Sequence, residues 1–215
     1  MTRRTARKTL ARLLTIAIHI GALIPMASLL WDFWSYQFGA DPIREITLRT
    51  GRSALTLLVL SLACTPLHIV LGWEQLIRLR KPLGLYAFLY ACFHGLTFVW
   101  LDYGLQPGLI SEAIFQKPYA LAGFVTFVLL VPLALTSNRW SMRKLGRKWK
   151  QLHKLVYLIA ALALLHFFWL VKGAYTQPLM YAGVVGLLLL MRAKPIKEKI
   201  ASWRGGLKGK LANGR

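Results

Sequence analysis

Apolar positions along this chain gather into long uncharged runs and do not alternate or fall into narrow stripes. Six runs, at 13–31, 53–73, 82–101, 118–138, 155–171 and 173–191, contain no Asp, Glu, Lys or Arg. Each has roughly the ~17–25 residues a helix needs to cross a bilayer core of ~30 Å. Inside lipid the backbone must satisfy its own hydrogen bonds, so runs of this kind are helices. Buried helices of a soluble bundle would carry a polar face, and these runs show none. In the last run Pro178 predicts that the helix begins there.

Charge separates the connections into two kinds. Lys and Arg number 28 against 7 Asp and Glu, while 56% of the chain is hydrophobic. A soluble nucleic-acid binder could be as basic but not as apolar, so no nucleic acid is expected. The N-terminal tail carries Arg3, Arg4, Arg7, Lys8 and Arg12, and the second connection carries Arg78, Arg80 and Lys81. The fourth has Arg139, Arg143, Lys144, Arg147, Lys148 and Lys150, and the C-terminal tail includes Arg192, Lys194, Lys197, Lys199, Arg204, Lys208, Lys210 and Arg215. The alternate connections are poorer. Arg44, Arg49 and Arg52 are offset by Asp32, Asp41 and Glu45, and only Lys117 and Lys172 occupy the third and fifth. Basic residues collect on cytoplasmic loops, so both termini are expected in the cytoplasm. The basic tails also suit contact with anionic lipid. Trp31, Trp34, Trp73, Trp100, Trp140 and Trp169 fall near the run ends, as an interfacial belt requires.

The expected fold is therefore all-α, a polytopic bundle of six transmembrane helices. A basic tail at 1–12 precedes the membrane domain at 13–191, and a second basic tail follows at 192–215. The first run is expected to stay as a helix and not be cleaved as a signal peptide, because it is long and no A-x-A site follows it. The longest connection, 32–52, has about twenty residues, below the ~50 of a domain. No internal repeat is evident.

With no carboxylate or lysine in the runs, the five histidines carry the chemistry: His19, His68, His94, His153 and His166. Ionisable groups inside a membrane are costly and point to function by default. His94 lies seven residues before Leu101 and His166 five before Val171, hence ~10 and ~8 Å from the same boundary at ~1.5 Å per residue. Two imidazoles at one depth on two helices suit the axial positions of a haem iron, and bis-His ligation suits electron transfer. Packing is the competing explanation, and the matched depth favours ligation. Gly95 beside His94 fits a helix surface that a flat ring can approach.

His153 precedes His166 by a rise of ~20 Å, which allows a second redox centre. Along one regular helix, however, the two side chains would point ~140° apart. Arg80 precedes His94 by nearly four whole helical turns, which would return it to almost the same face. Yet Pro82 marks an expected first turn that leaves Arg80 just outside the helix. It could meet a haem propionate or a quinone head-group, or act as a ligand. His153 is equally readable as an interfacial residue. His19 and His68 lack partners at matched depth, and packing or hydrogen bonding accounts for both. Cys64 and Cys92 form no C-x-x-C or C-x-x-C-H sequence, which excludes covalent c-type haem. Nucleotide-binding glycine motifs are absent as well, so any reductant must come from outside the chain.

The segments GADPIREITLRTGRSAL (39–55), LIRLRKPLGL (76–85), ACFHGLTF (91–98) and KLGRKWKQLHKLVYLIAALALLHFFWLVK (144–172) closely resemble the MsrQ family, formerly YedZ. That family lies within the ferric-reductase-like transmembrane group, alongside the membrane part of NADPH oxidases. The resemblance implies a haem b subunit, with one haem or two, in the bacterial inner membrane. It implies electrons drawn from the quinone pool, or from a cytoplasmic flavin reductase, and passed to MsrP. MsrP is a periplasmic molybdopterin partner that reduces methionine sulfoxide, so catalysis itself lies on the partner. FMN binding is implied by the resemblance alone. By position, the family's haem histidines match His94, His153 and His166, and a family arginine near the haem matches Arg80. His19 also falls at a family histidine position, whereas His68 does not. The competing classes are a non-redox membrane anchor and a small transporter. A transporter would predict intramembrane carboxylates or an inverted repeat.

Overall fold

The computed structural model describes residues 3–171, 173–200 and 202–203, with the backbone alone for 3–8. Lys172, Arg204, Lys208, Lys210 and Arg215, used above in the charge pattern, lie outside the described residues. The described chain is helical throughout. In order come α1 (Arg3–Trp34), α2 (Pro42–Leu71) and α3 (Gln75–Leu96), which widens into a π-helical turn at Thr97–Asp102. Then follow α4 (Pro107–Gln116), α5 (Pro118–Leu135), α6 (Arg139–Leu145), α7 (Arg147–Leu152), α8 (Leu155–Leu170) and α9 (Thr176–Leu190). A last helix, α10 (Lys194–Ile200), is bent 75° away from α9.

Five helical stretches are long and apolar enough to cross a membrane. The sixth, α9, has 15 residues and begins two residues before Pro178. It is shorter than a full crossing needs, and α10 continues it only after the bend. The protein is thus an all-α polytopic membrane protein, with five helices long enough to span and a short, bent sixth candidate among the described residues. Its lipid-facing side is plain on α1, where Ile20, Ile24, Leu30 and Trp34 are exposed. An apolar surface of that extent on a soluble monomer would be anomalous.

Charged residues extend several helices beyond the uncharged runs. Helix α1 starts at Arg3, well before its run, and α2 starts at Pro42. The expected long connection at 32–52 shrinks to a turn at 35–41. Helix α2 has a local reason to begin early. Pro42 supplies a preset first turn, and the Asp41 side chain accepts from the Arg44 N–H at 3.0 Å. Arg49 inside the extension is neutralised by Asp32 on α1 and by Glu45 one turn earlier, the latter at 2.6 Å. Helix α3 also begins earlier than expected, at Gln75, with Pro82 in its interior. Arg80 therefore lies within the helix and not outside it. The Ser61 hydroxyl of α2 donates to the Arg80 carbonyl at 2.9 Å, so a neighbouring helix satisfies backbone beside the proline.

The same device appears at Pro25 in α1. Tyr90 of α3, 1% exposed, sends its hydroxyl into the α1 backbone. It donates to the Ala22 carbonyl at 2.7 Å and accepts from the Met26 N–H at 3.0 Å. Those two backbone groups would otherwise close one helical turn. A side chain inserted into the ladder beside a proline is a recognised cause of bending.

Two helix pairs form the centre. The most extensive packing joins α2 to α3 and α5 to α8. Leu58 and Leu62 of α2, Leu83 and Ala87 of α3, and Ile159 and Ala160 of α8 are all buried where these pairs meet. Helix α9 closes the centre through Thr56 and Tyr181, whose hydroxyls are 2.7 Å apart.

Candidate functional site

His94 on α3 and His166 on α8 are brought together. Their ring centroids are 5.9 Å apart and the ring planes cross at 81°. Each ring is anchored in the same manner by a different helix. His94 Nδ1 donates to the Thr47 carbonyl of α2 at 2.9 Å. His166 Nδ1 donates to the Tyr119 carbonyl of α5 at 2.7 Å. A carbonyl oxygen has no proton to give, so both Nδ1 atoms carry the hydrogen. Both Nε2 atoms are left with a lone pair, the state that a metal requires.

The distances fit a shared metal. A metal–imidazole bond is about 2 Å, so a centroid separation of 5.9 Å is short enough for one metal to reach both rings. Among the described residues no group of three or more His, Cys, Asp or Glu is placed to hold an ion. Two imidazoles alone would suit a metal that brings its remaining ligands with it, as the iron of a haem does. The residues present therefore fit a bis-His haem b.

A band of hydroxyls surrounds His94. Thr47 and Thr97 are joined through their hydroxyls at 3.1 Å, and Thr97 donates to the His94 carbonyl at 2.8 Å. The Thr50 hydroxyl donates to the carbonyls of Ile46 and Thr47. The π-helical turn begins three residues after His94. Widened turns of this kind often mark functional positions in helices.

The remaining candidates lie elsewhere. His153 is outside α8, at the end of α7, in the break that precedes Leu155. The expectation that its side chain diverges from that of His166 assumed one continuous helix, and it does not apply across that break. The Thr136 hydroxyl donates to the Pro132 carbonyl at 2.6 Å, so His153 Nε2 carries a proton and donates to Thr136 at 3.1 Å. Trp149 stacks on the His153 ring with centroids 4.0 Å apart. Arg80 donates from Nη1 to the Thr65 hydroxyl at 3.0 Å. Neither residue touches the His94–His166 pair. His19 meets the Tyr86 hydroxyl at 2.8 Å, and His68 Nδ1 donates to the Trp73 carbonyl at 3.0 Å. Both are hydrogen-bonded side chains, as expected for them. Sequence reasoning missed Thr47 and Tyr119, because a backbone carbonyl has no residue signature.

Comparison with known proteins identifies the family. The family of ferric reductase like transmembrane components matches residues 50–164, a stretch that includes His94 and His153 and ends two residues before His166. A protein of Xanthomonas campestris pv. campestris (strain 8004) is 48% identical over 179 residues, covering 80% of this chain and 82% of its own. One from Xanthomonas oryzae pv. oryzae (strain MAFF 311018) is 46% identical over 182 residues, covering 82% and 84%. One from Herminiimonas arsenicoxydans is 42% identical over 178 residues, covering 81% and 82%. Each of these is named protein-methionine-sulfoxide reductase heme-binding subunit MsrQ. No solved structure matches the chain. With similarity of this extent running through the helices that carry the paired histidines, the chain belongs to the MsrQ family of ferric-reductase-like transmembrane proteins.

Proposed function

We propose that this protein is a haem b subunit that carries electrons across the bacterial inner membrane to a periplasmic molybdopterin sulfoxide reductase of the MsrP kind. The observation that carries the reading is the His94–His166 pair, with centroids 5.9 Å apart and both Nδ1 atoms committed to carbonyls. Haem bound there would supply one-electron chemistry without an open coordination position. The chain's own part is to fix both rings and to keep each Nε2 deprotonated. Both rings are half-buried among apolar helices, and the lipid around those helices would keep water from the site.

The donor side is proposed at the opposite end of the bundle. By their order along the chain, Arg80, His153 and the basic stretch 143–150 belong to that end, where a quinol, or the anionic part of a flavin such as FMN, would approach. Arg80 is hydrogen-bonded to Thr65 and Ile77 and makes no ion pair among the described residues, so its charge can serve an anionic or polar group. With both termini in the cytoplasm, the His94–His166 pair lies toward the periplasm, close enough to a docked acceptor to need no mobile carrier. The test is a reduced-minus-oxidised spectrum of the purified protein with a haem-to-protein ratio, followed by reduction with a quinol. A b-type spectrum that quinol produces supports the reading, and a protein purified without haem overturns it.

A further inference from the structure

The two histidine anchors are copies of one another. Each histidine lies 47 residues after the carbonyl that binds it. Each also packs on a glycine one helical turn after that carbonyl. A Cβ on Gly51 would stand 3.0 Å from His94 Nδ1 and 3.1 Å from its Cε1. A Cβ on Gly123 would stand 2.8 Å from His166 Nδ1 and 2.9 Å from its Cε1. Thr47, Gly51 and His94 thus recur as Tyr119, Gly123 and His166, every member displaced by one constant offset along the chain. Helix α3 keeps this register, although α2 shifted by the same offset spans the end of α4, all of α5 and the start of α6. Shifted by that offset, α3 (Gln75–Leu96) falls on 147–168, the stretch covered by α7 and α8. The turn after α2 at 72–74 falls on 144–146, where the chain breaks at Gly146.

The spacing at the anchors is that of a parallel repeat of two helix hairpins, α2–α3 and α5–α8. A parallel repeat explains why the two imidazoles share one depth, since equivalent residues of parallel copies must do so. It also identifies what the copies have in common. Aligned in this register, the stretches around the anchors share the glycine, the histidine and a Leu-Leu-Val run at 57–59 and 129–131, whereas the anchoring carbonyl belongs to Thr47 in one copy and Tyr119 in the other.

We infer that Gly51 and Gly123 are equivalent positioning residues, which seat each imidazole against helix backbone and hold its Nδ1–H on the carbonyl one turn earlier. The inference rests on the haem reading proposed above. A ring seated this closely cannot turn about its own bonds, and the carbonyl makes its Nε2 a stronger donor. Each glycine thereby fixes the azimuth of one ring, and the two together fix the angle between the planes. A methyl group at either position must push the ring away, lengthen its hydrogen bond and rotate its plane. Approaches of 2.8 to 3.0 Å lie below or at the shortest that real Cβ atoms make, and here the neighbour is a ring held at both ends.

The experiment compares purified wild type with Gly51→Ala, Gly123→Ala and the control Gly183→Ala on α9, whose Cβ would meet nothing within 4 Å. Three quantities are read: haem-to-protein ratio, electron paramagnetic resonance of the oxidised haem, and midpoint potential. Gly51→Ala and Gly123→Ala should shift the low-spin signal, raise the potential as the ligand loses basicity, and weaken haem retention by about tenfold or more. Gly123→Ala should show the larger change, and Gly183→Ala none. If Gly123→Ala fails to accumulate, the milder Gly51→Ala decides the matter. Signal and potential unchanged in Gly51→Ala overturn the inference while leaving the haem reading intact, provided His94→Ala still removes haem. A wild type without haem overturns both.

Discussion

The rings of His94 and His166 cross at 81°, and each plane is set by a different helix, through Thr47 for one and Tyr119 for the other. Neither histidine determines that angle by itself. It is a property of how α2 and α5 are disposed around the pair. For an iron held between them, near-perpendicular imidazoles leave the two metal orbitals that overlap the rings almost equal in energy. The oxidised protein is then expected to give a strongly anisotropic low-spin resonance. An ordinary rhombic low-spin signal would mean that the planes are closer to parallel than they stand here.

Replacement of the ligands is the direct test of the pair. His94→Ala and His166→Ala should each remove the same absorption component, because either change leaves the iron with one protein ligand. His19→Ala and His68→Ala should keep most of it, since those rings bond to Tyr86 and to the Trp73 carbonyl away from the pair. Equal loss in all four variants would indicate general destabilisation and not ligation.

Much of this arrangement was legible in the sequence, and the rest was hidden for identifiable reasons. Uncharged runs located the spans, because lipid forbids unpaired backbone and tolerates few charges. They did not locate helix ends. Arg49 remains helical once Asp32 and Glu45 pair with it, and Pro82 remains inside α3 beside the Ser61–Arg80 bond. Depth counting found His94 and His166. The carbonyls of Thr47 and Tyr119 could not be found that way, since any residue type provides one. Gly51 and Gly123 did leave a trace: a glycine stands at the same interval before each of the two histidines. That coincidence acquires meaning only when the two hairpins are superposed in register. His153 was placed within one long helix with His166, but the chain breaks at 153–154.

Tyr90→Phe isolates the hydroxyl that bridges α1 and α3. The ring still fills its buried position, while the Ala22 carbonyl and Met26 N–H each lose their partner in apolar surroundings. An unsatisfied buried group costs about 1–3 kcal/mol. Thermal unfolding in detergent should shift downward, and the haem spectrum at low temperature should be retained. An unchanged midpoint would show that α1 re-forms its own turn across Pro25 at no net cost.

Arg80→Gln and His153→Ala should act on reduction and not on the His94–His166 component. Neither side chain contacts that pair, and His153 Nε2 is engaged with Thr136. Slower reduction by quinol, with the main absorption intact, would place both residues at the donor side. Loss of a second, distinct absorption component in either variant would instead assign that residue to another haem.

Sidedness is the last link between this geometry and function, and it can be tested in two stages. A reporter fused after Arg215 should be active only as a cytoplasmic marker, and one inserted at Gln106, in the turn before α4, only as a periplasmic marker. An external C-terminus would mean that α9, with its 15 residues, does not cross, and the helix count would fall to five. With the orientation established, the protein in oriented vesicles is reduced by quinol, and a periplasmic sulfoxide reductase is added to one side at a time. The His94–His166 pair lies at the end where α3 widens and α8 stops, near the connections after Asp102 and Leu170. Electron tunnelling falls steeply with distance, so reoxidation should be fast only when the acceptor is on that side. Reoxidation from the opposite side alone would reverse the proposed direction. No reduction by quinol, with full reduction by a soluble flavin reductase, would move the donor from the membrane to the cytoplasm and leave the outward step unchanged.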